Sequence, residues 1–99
     1  MRVYRYPLSP MLKQTLSIPE PANILSTGVQ DDTINIWVMV DPSKPTIERT
    51  IEVFLPGVEI VDDMGIERKF IGTCIIPQHD TRDLVFHIFE TNIRMLHED

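Results

Sequence analysis

The sequence predicts an all-β domain, a small antiparallel β-sandwich or partly open barrel of six to seven strands. Short apolar runs recur at intervals of roughly ten residues, separated by Pro, Gly or Asp turns, the rhythm of sandwiches and barrels. Within these runs the apolar residues fall at every second position, most clearly Ile34, Ile36, Val38 and Val40 in residues 33–41. Alternate strand side chains point to opposite faces, so these four make one continuous apolar face that needs a core to cover it. Helical spacing is confined to one turn after Ser9-Pro10 and to the last nine residues.

In chain order, residues 3–6 read as a first strand with Tyr4 and Tyr6 on one side, ended by Pro7. Ser9-Pro10 has the form of a capped helix start, Ser at the N-cap and Pro at the first helical position. Residues 14–18 alternate Thr15 and Ser17 outward with Leu16 and Ile18 inward, and Pro19-Glu20-Pro21 stops them because proline cannot donate to a ladder. Both segments are expected at sheet edges. Residues 23–30 set Leu25 and Val29 against Ser26 and Gly28, then turn through Asp31-Asp32 into the central strand as a hairpin.

After the proline-fixed turn at residues 41–45, residues 46–55 place Ile47, Ile51, Val53 and Leu55 on one face and Glu48, Thr50 and Glu52 on the other. Pro56-Gly57 breaks that strand, and residues 58–61 resume it as a continuation or corner. Residues 68–76 send Phe70, Cys74 and Ile76 one way and Ile71, Thr73 and Ile75 the other, with Gly72 marking a bulge or a close approach. Residues 84–89 are apolar at every position but His87, so both faces are expected to be covered. A single β domain thus spans 1–90. Residues 91–99 form a tail or short helix with Ile93 and Leu96 inward, frayed because Glu98 and Asp99 sit at the wrong end of a helix dipole.

Length and charge bound the function. Ninety-nine residues suit one modest core. No apolar run approaches the roughly 20 residues of a membrane span. The basic start lacks the apolar stretch of a signal peptide, and a lone Cys74 excludes an intrachain disulfide and fits a reducing compartment. Net charge is −6, with five basic and five acidic residues in 1–50 against four and ten in 51–99. Such a surface disfavours phosphate backbones, where affinity comes from Lys and Arg, and suits either a basic partner or simple solubility.

A catalytic or metal constellation does not emerge. One Cys and the scattered His79, His87 and His97 supply no ligand pair at zinc spacing, and residues 62–65 lack the alternating oxygens of a calcium loop. His79 near Asp80 and Asp83 imitates a dyad in a polar loop. Asp31-Asp32 and Asp62-Asp63 read as turn formers, since adjacent strand residues point apart. Cys74 reads as packing and His87 as a core-edge histidine satisfied by one hydrogen bond. The remaining signal is aromatic. Trp37 and Met39 share a strand face, and Tyr4, Tyr6, Phe54, Val85, His87 and Phe89 are placed to join them from neighbouring strands. Two readings stay open, core or an interface where aromatic anchors carry the binding energy.

The blocks Val3-Tyr4-Arg5-Tyr6-Pro7-Leu8, Gln14-Thr15-Leu16-Ser17-Ile18-Pro19, Ile24-Leu25-Ser26, Ile36-Trp37-Val38-Met39-Val40-Asp41, Phe70-Ile71-Gly72-Thr73 and Leu84-Val85-Phe86-His87-Ile88-Phe89-Glu90 occur in this order over residues 3–90. The chain thereby resembles a family of small, largely uncharacterised proteins of bacteriophages and prophages. Relatives carry Gly-Thr-Gly-His-Pro where this chain has Leu55-Pro56-Gly57-Val58-Glu59, so only Gly57 matches and no role of that histidine carries over. The family tends to end after the Phe-Glu that matches Phe89-Glu90, so the tail from Thr91 is an addition here. The resemblance implies phage origin and a host-cytoplasm setting, with no reaction attached.

The expectation is therefore a non-enzymatic phage-type accessory protein that inhibits a host protein such as a defence component, without metal, cofactor, nucleic acid or membrane. Its aromatic face would be Trp37, Met39, Phe54, His87, Phe89, Tyr4 and Tyr6, and its acidic partner surface Asp62, Asp63, Glu59, Asp80 and Asp83. The alternatives are a module that holds a nucleotide-like ligand, with Arg2, Arg5, Arg49, Arg68 and Lys69 as its basic supply, and a structural homo-oligomer.

Overall fold

The computed structural model describes residues 1–10, 13–60, 65–79 and 82–93. Its seven strands are β1 (Arg2–Leu8), β2 (Lys13–Pro19), β3 (Ala22–Gln30), β4 (Thr33–Val40), β5 (Thr46–Phe54), β6 (Ile66–Ile76) and β7 (Leu84–Ile93). They form two antiparallel sheets, ordered β1-β4-β3 and β2-β5-β7-β6, and these stay open at their edges, a sandwich and not a closed barrel. β1 and β2 lie at edges as their prolines predict, but Pro7 does not end β1: an edge strand tolerates a missing donor, and the strand runs on to Leu8 with Pro7 opposite Asn35.

The core is the meeting of the two apolar faces. Leu8, Ile34, Ile36, Val38 and Val40 from the first sheet pack with Ile18, Ile51, Val53, Cys74, Phe86 and Ile88 from the second. Each fully buried isoleucine or valine contributes roughly 1.5–3 kcal/mol relative to exposure, so the alternation in β4 is the strongest single determinant of the fold. Cys74 is part of this packing, beside the Thr27 hydroxyl at 3.3 Å.

The β3–β4 hairpin turns on Asp31 and Asp32, whose φ values of 55° and 56° put both in the left-handed region. A two-residue hairpin loop of type I′ has positive φ at both central positions, and aspartate is among the few non-glycine residues that accept it. The carboxylates are thus turn formers.

Two bulges reset side-chain direction. In β3 the register shifts between Ile24 and Ser26, leaving Leu25 as the extra residue; in β6 it shifts between Phe70 and Gly72 at Ile71. The β6 bulge corrects the simple alternation expected for residues 68–76. Phe70 pairs with Phe89 and Thr73 with His87 on the outer face, while Gly72 and Cys74 pair with Ile88 and Phe86 on the core face. β3 and β6 are edge strands of opposite sheets that run close together, and Gly72 permits the approach: a Cβ there would lie 2.6 Å from Thr27 Cγ2.

The chain's end differs from expectation too. Residues 91–93 continue β7 instead of starting a helix, because Thr91 and Asn92 pair with Arg68 and Glu67 of β6 and Ile93 with Ile66. The proposed helical turn after Ser9 and the inward Leu96 fall on residues 11–12 and 96, outside the described residues. Residues 58–60 are not strand, and Val61 is likewise outside.

Candidate functional site

The single aromatic face expected from the sequence divides into three places. Tyr4 and Tyr6 pair with Val38 and Ile36, so they point toward the core side of the first sheet, with ring centroids 6.5 Å apart. Burial, with Tyr4 alongside, pushes the Tyr6 phenol above its ordinary pKa. Trp37 and Met39 occupy the opposite, outer face of that sheet, where the Trp37 ring lies over Gly28. Phe54, His87 and Phe89 lie on the outer face of the other sheet. Alternation correctly grouped these aromatic residues within β1, β4 and β7. It could not say that β4 and β7 belong to different sheets, which is what separates Trp37 from Phe89.

The outer face of the four-stranded sheet has the denser construction. Phe89 sits edge-on to Phe54 at 5.7 Å between centroids and against Phe70 at 5.3 Å. Phe54 is only 3% exposed despite lying outside the main core, so it supports the patch instead of touching a partner. Phe70 is 56% exposed, and Ile75 further along the same face is 53% exposed. Sequence reasoning missed Phe70 because the Ile71 bulge reverses its direction; Gly72 was the available signal. His87 accepts or donates one hydrogen bond with the Thr73 hydroxyl at 3.0 Å, matching the expected satisfied histidine.

A charged scaffold holds this face. The Arg68 guanidinium stands 5.7 Å from the Phe54 centroid and donates to Glu52 at 2.9 Å, and Glu52 also accepts from the Thr91 hydroxyl. Glu52 is therefore buried, its Oε1 accepting from a neighbour on β6 and from one on β7. On the other face of the same sheet Arg49 bridges Glu90 and Glu20, donating to Glu90 from Nε and from Nη2 at 2.8 Å, and to Glu20 at 3.1 Å. The bonds to Glu90, reinforced by both carboxylate charges, raise the Arg49 pKa against the opposing effect of burial.

The other candidates disperse. Glu59 and Asp83 are exposed, in segments that leave the four-stranded sheet from the Phe54–His87 end; Asp62, Asp63 and Asp80 lie outside the described residues. The five basic residues do not all converge: Arg2 and Arg5 are on β1 and Arg68 is on the outer face of the larger sheet, while Arg49 and Lys69 share the inner face beside Glu90. Among the described residues no group of three or more His, Cys, Asp or Glu is placed to hold a metal ion, and no helix is long and apolar enough to cross a membrane.

The class is thus a seven-stranded antiparallel β-sandwich with an aromatic patch on the solvent side of its larger sheet. Residues 1–96 match the family described as Domain of unknown function (DUF7352), and the chain belongs to that family. No curated protein and no solved structure gives a significant match.

Proposed function

We propose that the domain is a protein-binding accessory module that covers a basic surface of its partner. The observation that carries this is Phe70, more than half exposed and backed by Phe89, which in turn sits edge-on to the buried Phe54. Aromatic side chains held in place lose little entropy on binding and concentrate the binding energy. The net charge of −6 supplies steering toward a basic surface. The resemblance to phage and prophage proteins supports a host protein, such as a defence component, as that partner, and the host cytoplasm as the setting.

Native mass spectrometry of the protein purified from host cells tests the reading. A stoichiometric complex with a basic protein is expected. A bare homodimer or a bare monomer at micromolar concentration would overturn it, the dimer by assigning the patch to self-association.

A further inference from the structure

The two β-bulges face one another. Leu25 of β3 and Ile71 of β6, the extra residue of each, line one cavity of about 220 Å³ between the sheets, together with Ala22, Asn23, Ile24, Arg49, Lys69, Phe70 and Glu90. Next along β6, Gly72 lies close against Thr27 of β3.

The cavity has fixed and free polar groups. Arg49 is held by Glu90 and Glu20, so this wall is rigid. Lys69 is the cross-strand partner of Glu90, yet no ion pair joins them, and among the described residues neither the Lys69 ammonium nor the Asn23 amide has a hydrogen-bond partner. Glu90 takes two bonds from Arg49, and a carboxylate has about four acceptor positions, so it keeps capacity for another donor. Counted together, Glu20, Glu90, Arg49 and Lys69 are electrically neutral. Such a site suits a ligand that is neutral overall with both signs displayed, and its volume lies below the roughly 300–1,000 Å³ of pockets for drug-sized molecules. A nucleotide would need more room and more cations.

We propose that this cavity binds a free α-amino acid with an apolar side chain. Lys69 takes its carboxylate with help from Asn23, Glu90 takes its ammonium, and Ile24, Leu25 and Ile71 surround its side chain. Binding is independent of the protein-binding face, because the Phe70 ring packs on Phe89 at the opposite side of the sheet.

The test is an amide-resolved NMR titration of the full chain with phenylalanine, 3-phenylpropanoate and phenethylamine. Phenylalanine is expected to give saturable shifts centred on residues 22–25 and 69–72, and each analogue lacking one charged group to bind about tenfold or more weakly, the scale of one charge-assisted hydrogen bond. Lys69→Met, which keeps the apolar stem at an exposed position, is expected to weaken phenylalanine about tenfold with an unchanged melting temperature; Asn23→Ala is a second, smaller loss. No saturable shift at these residues, equal binding of either analogue, or wild-type affinity in Lys69→Met would overturn the assignment.

Discussion

Replacing Gly72 by alanine adds one methyl group where the two sheets come closest. Its Cβ would stand 2.6 Å from Thr27 Cγ2, whereas carbon atoms rest at about 3.5–4.0 Å, so roughly 1 Å must be found. Thr27 is poorly placed to yield, because its hydroxyl donates to the Asn35 carbonyl at 2.7 Å and sits 3.3 Å from Cys74 Sγ. Either those contacts are lost or β3 and β6 separate. Forced overpacking of this kind costs about 1–3 kcal/mol. For a chain of this length that lowers Tm by roughly 5–15 °C, read by calorimetry. Thr27→Ser removes Cγ2 and keeps the hydroxyl, so Gly72→Ala with Thr27→Ser is expected to recover most of the loss, a coupling that two independent sites would not show. A melting temperature for Gly72→Ala within about 2 °C of wild type, a shift of under 0.5 kcal/mol on the same scale, would refute the close-approach reasoning. So would the absence of rescue.

Asp31→Asn combined with Asp32→Gly is expected to stabilise the protein by about 1 kcal/mol in urea unfolding, since Asn-Gly accepts the positive φ values that aspartates hold less comfortably. Arg49→Met leaves Glu90 and Glu20 without their counter-charge; partial exposure of Glu20 brings the expected loss to about 2 kcal/mol, below the 3–5 kcal/mol of a fully buried pair. The Ser43 hydroxyl, chiefly, and then the Ser43 backbone N–H hold the Asp41 carboxyl below its ordinary pKa. Ser43→Ala is expected to return it upward in a carboxyl-carbon NMR titration. Because the folded-state pKa is depressed, this contribution is present above the unfolded value and lost as pH falls through the folded one, so the two proteins' melting temperatures converge on acidification.

The layout of the fold was legible because its strongest signal is local. Alternation in residues 34–40 and the prolines Pro7 and Pro19 are each read from a few adjacent residues, and they predict the central strand and the edges that the sandwich shows. The site was less legible because it depends on sheet assignment and register. Trp37 and Phe89 carry similar sequence signals but end on different sheets. One inserted residue at Ile71 turns Phe70 outward, and a period-two reading through Gly72 cannot find that inversion. Arg49 fell among Ile47, Ile51 and Val53, where an apolar pattern passes over a single charge; Glu20 and Glu90, its partners, are distant in sequence. Thr91 shows the same limit: its strand pairing to Arg68 depends on a neighbour that local propensity does not see.

Partner retention by two surface variants tests the central claim most directly. Phe70→Glu and Trp37→Ala alter opposite sheets, and each is to be captured from host cells beside the wild type, with melting temperature measured on the same samples. The account predicts that Phe70→Glu loses the partner while remaining folded and Trp37→Ala keeps it. A partner retained by Phe70→Glu, or lost with Trp37→Ala alone, would contradict the placement of the binding face on the four-stranded sheet.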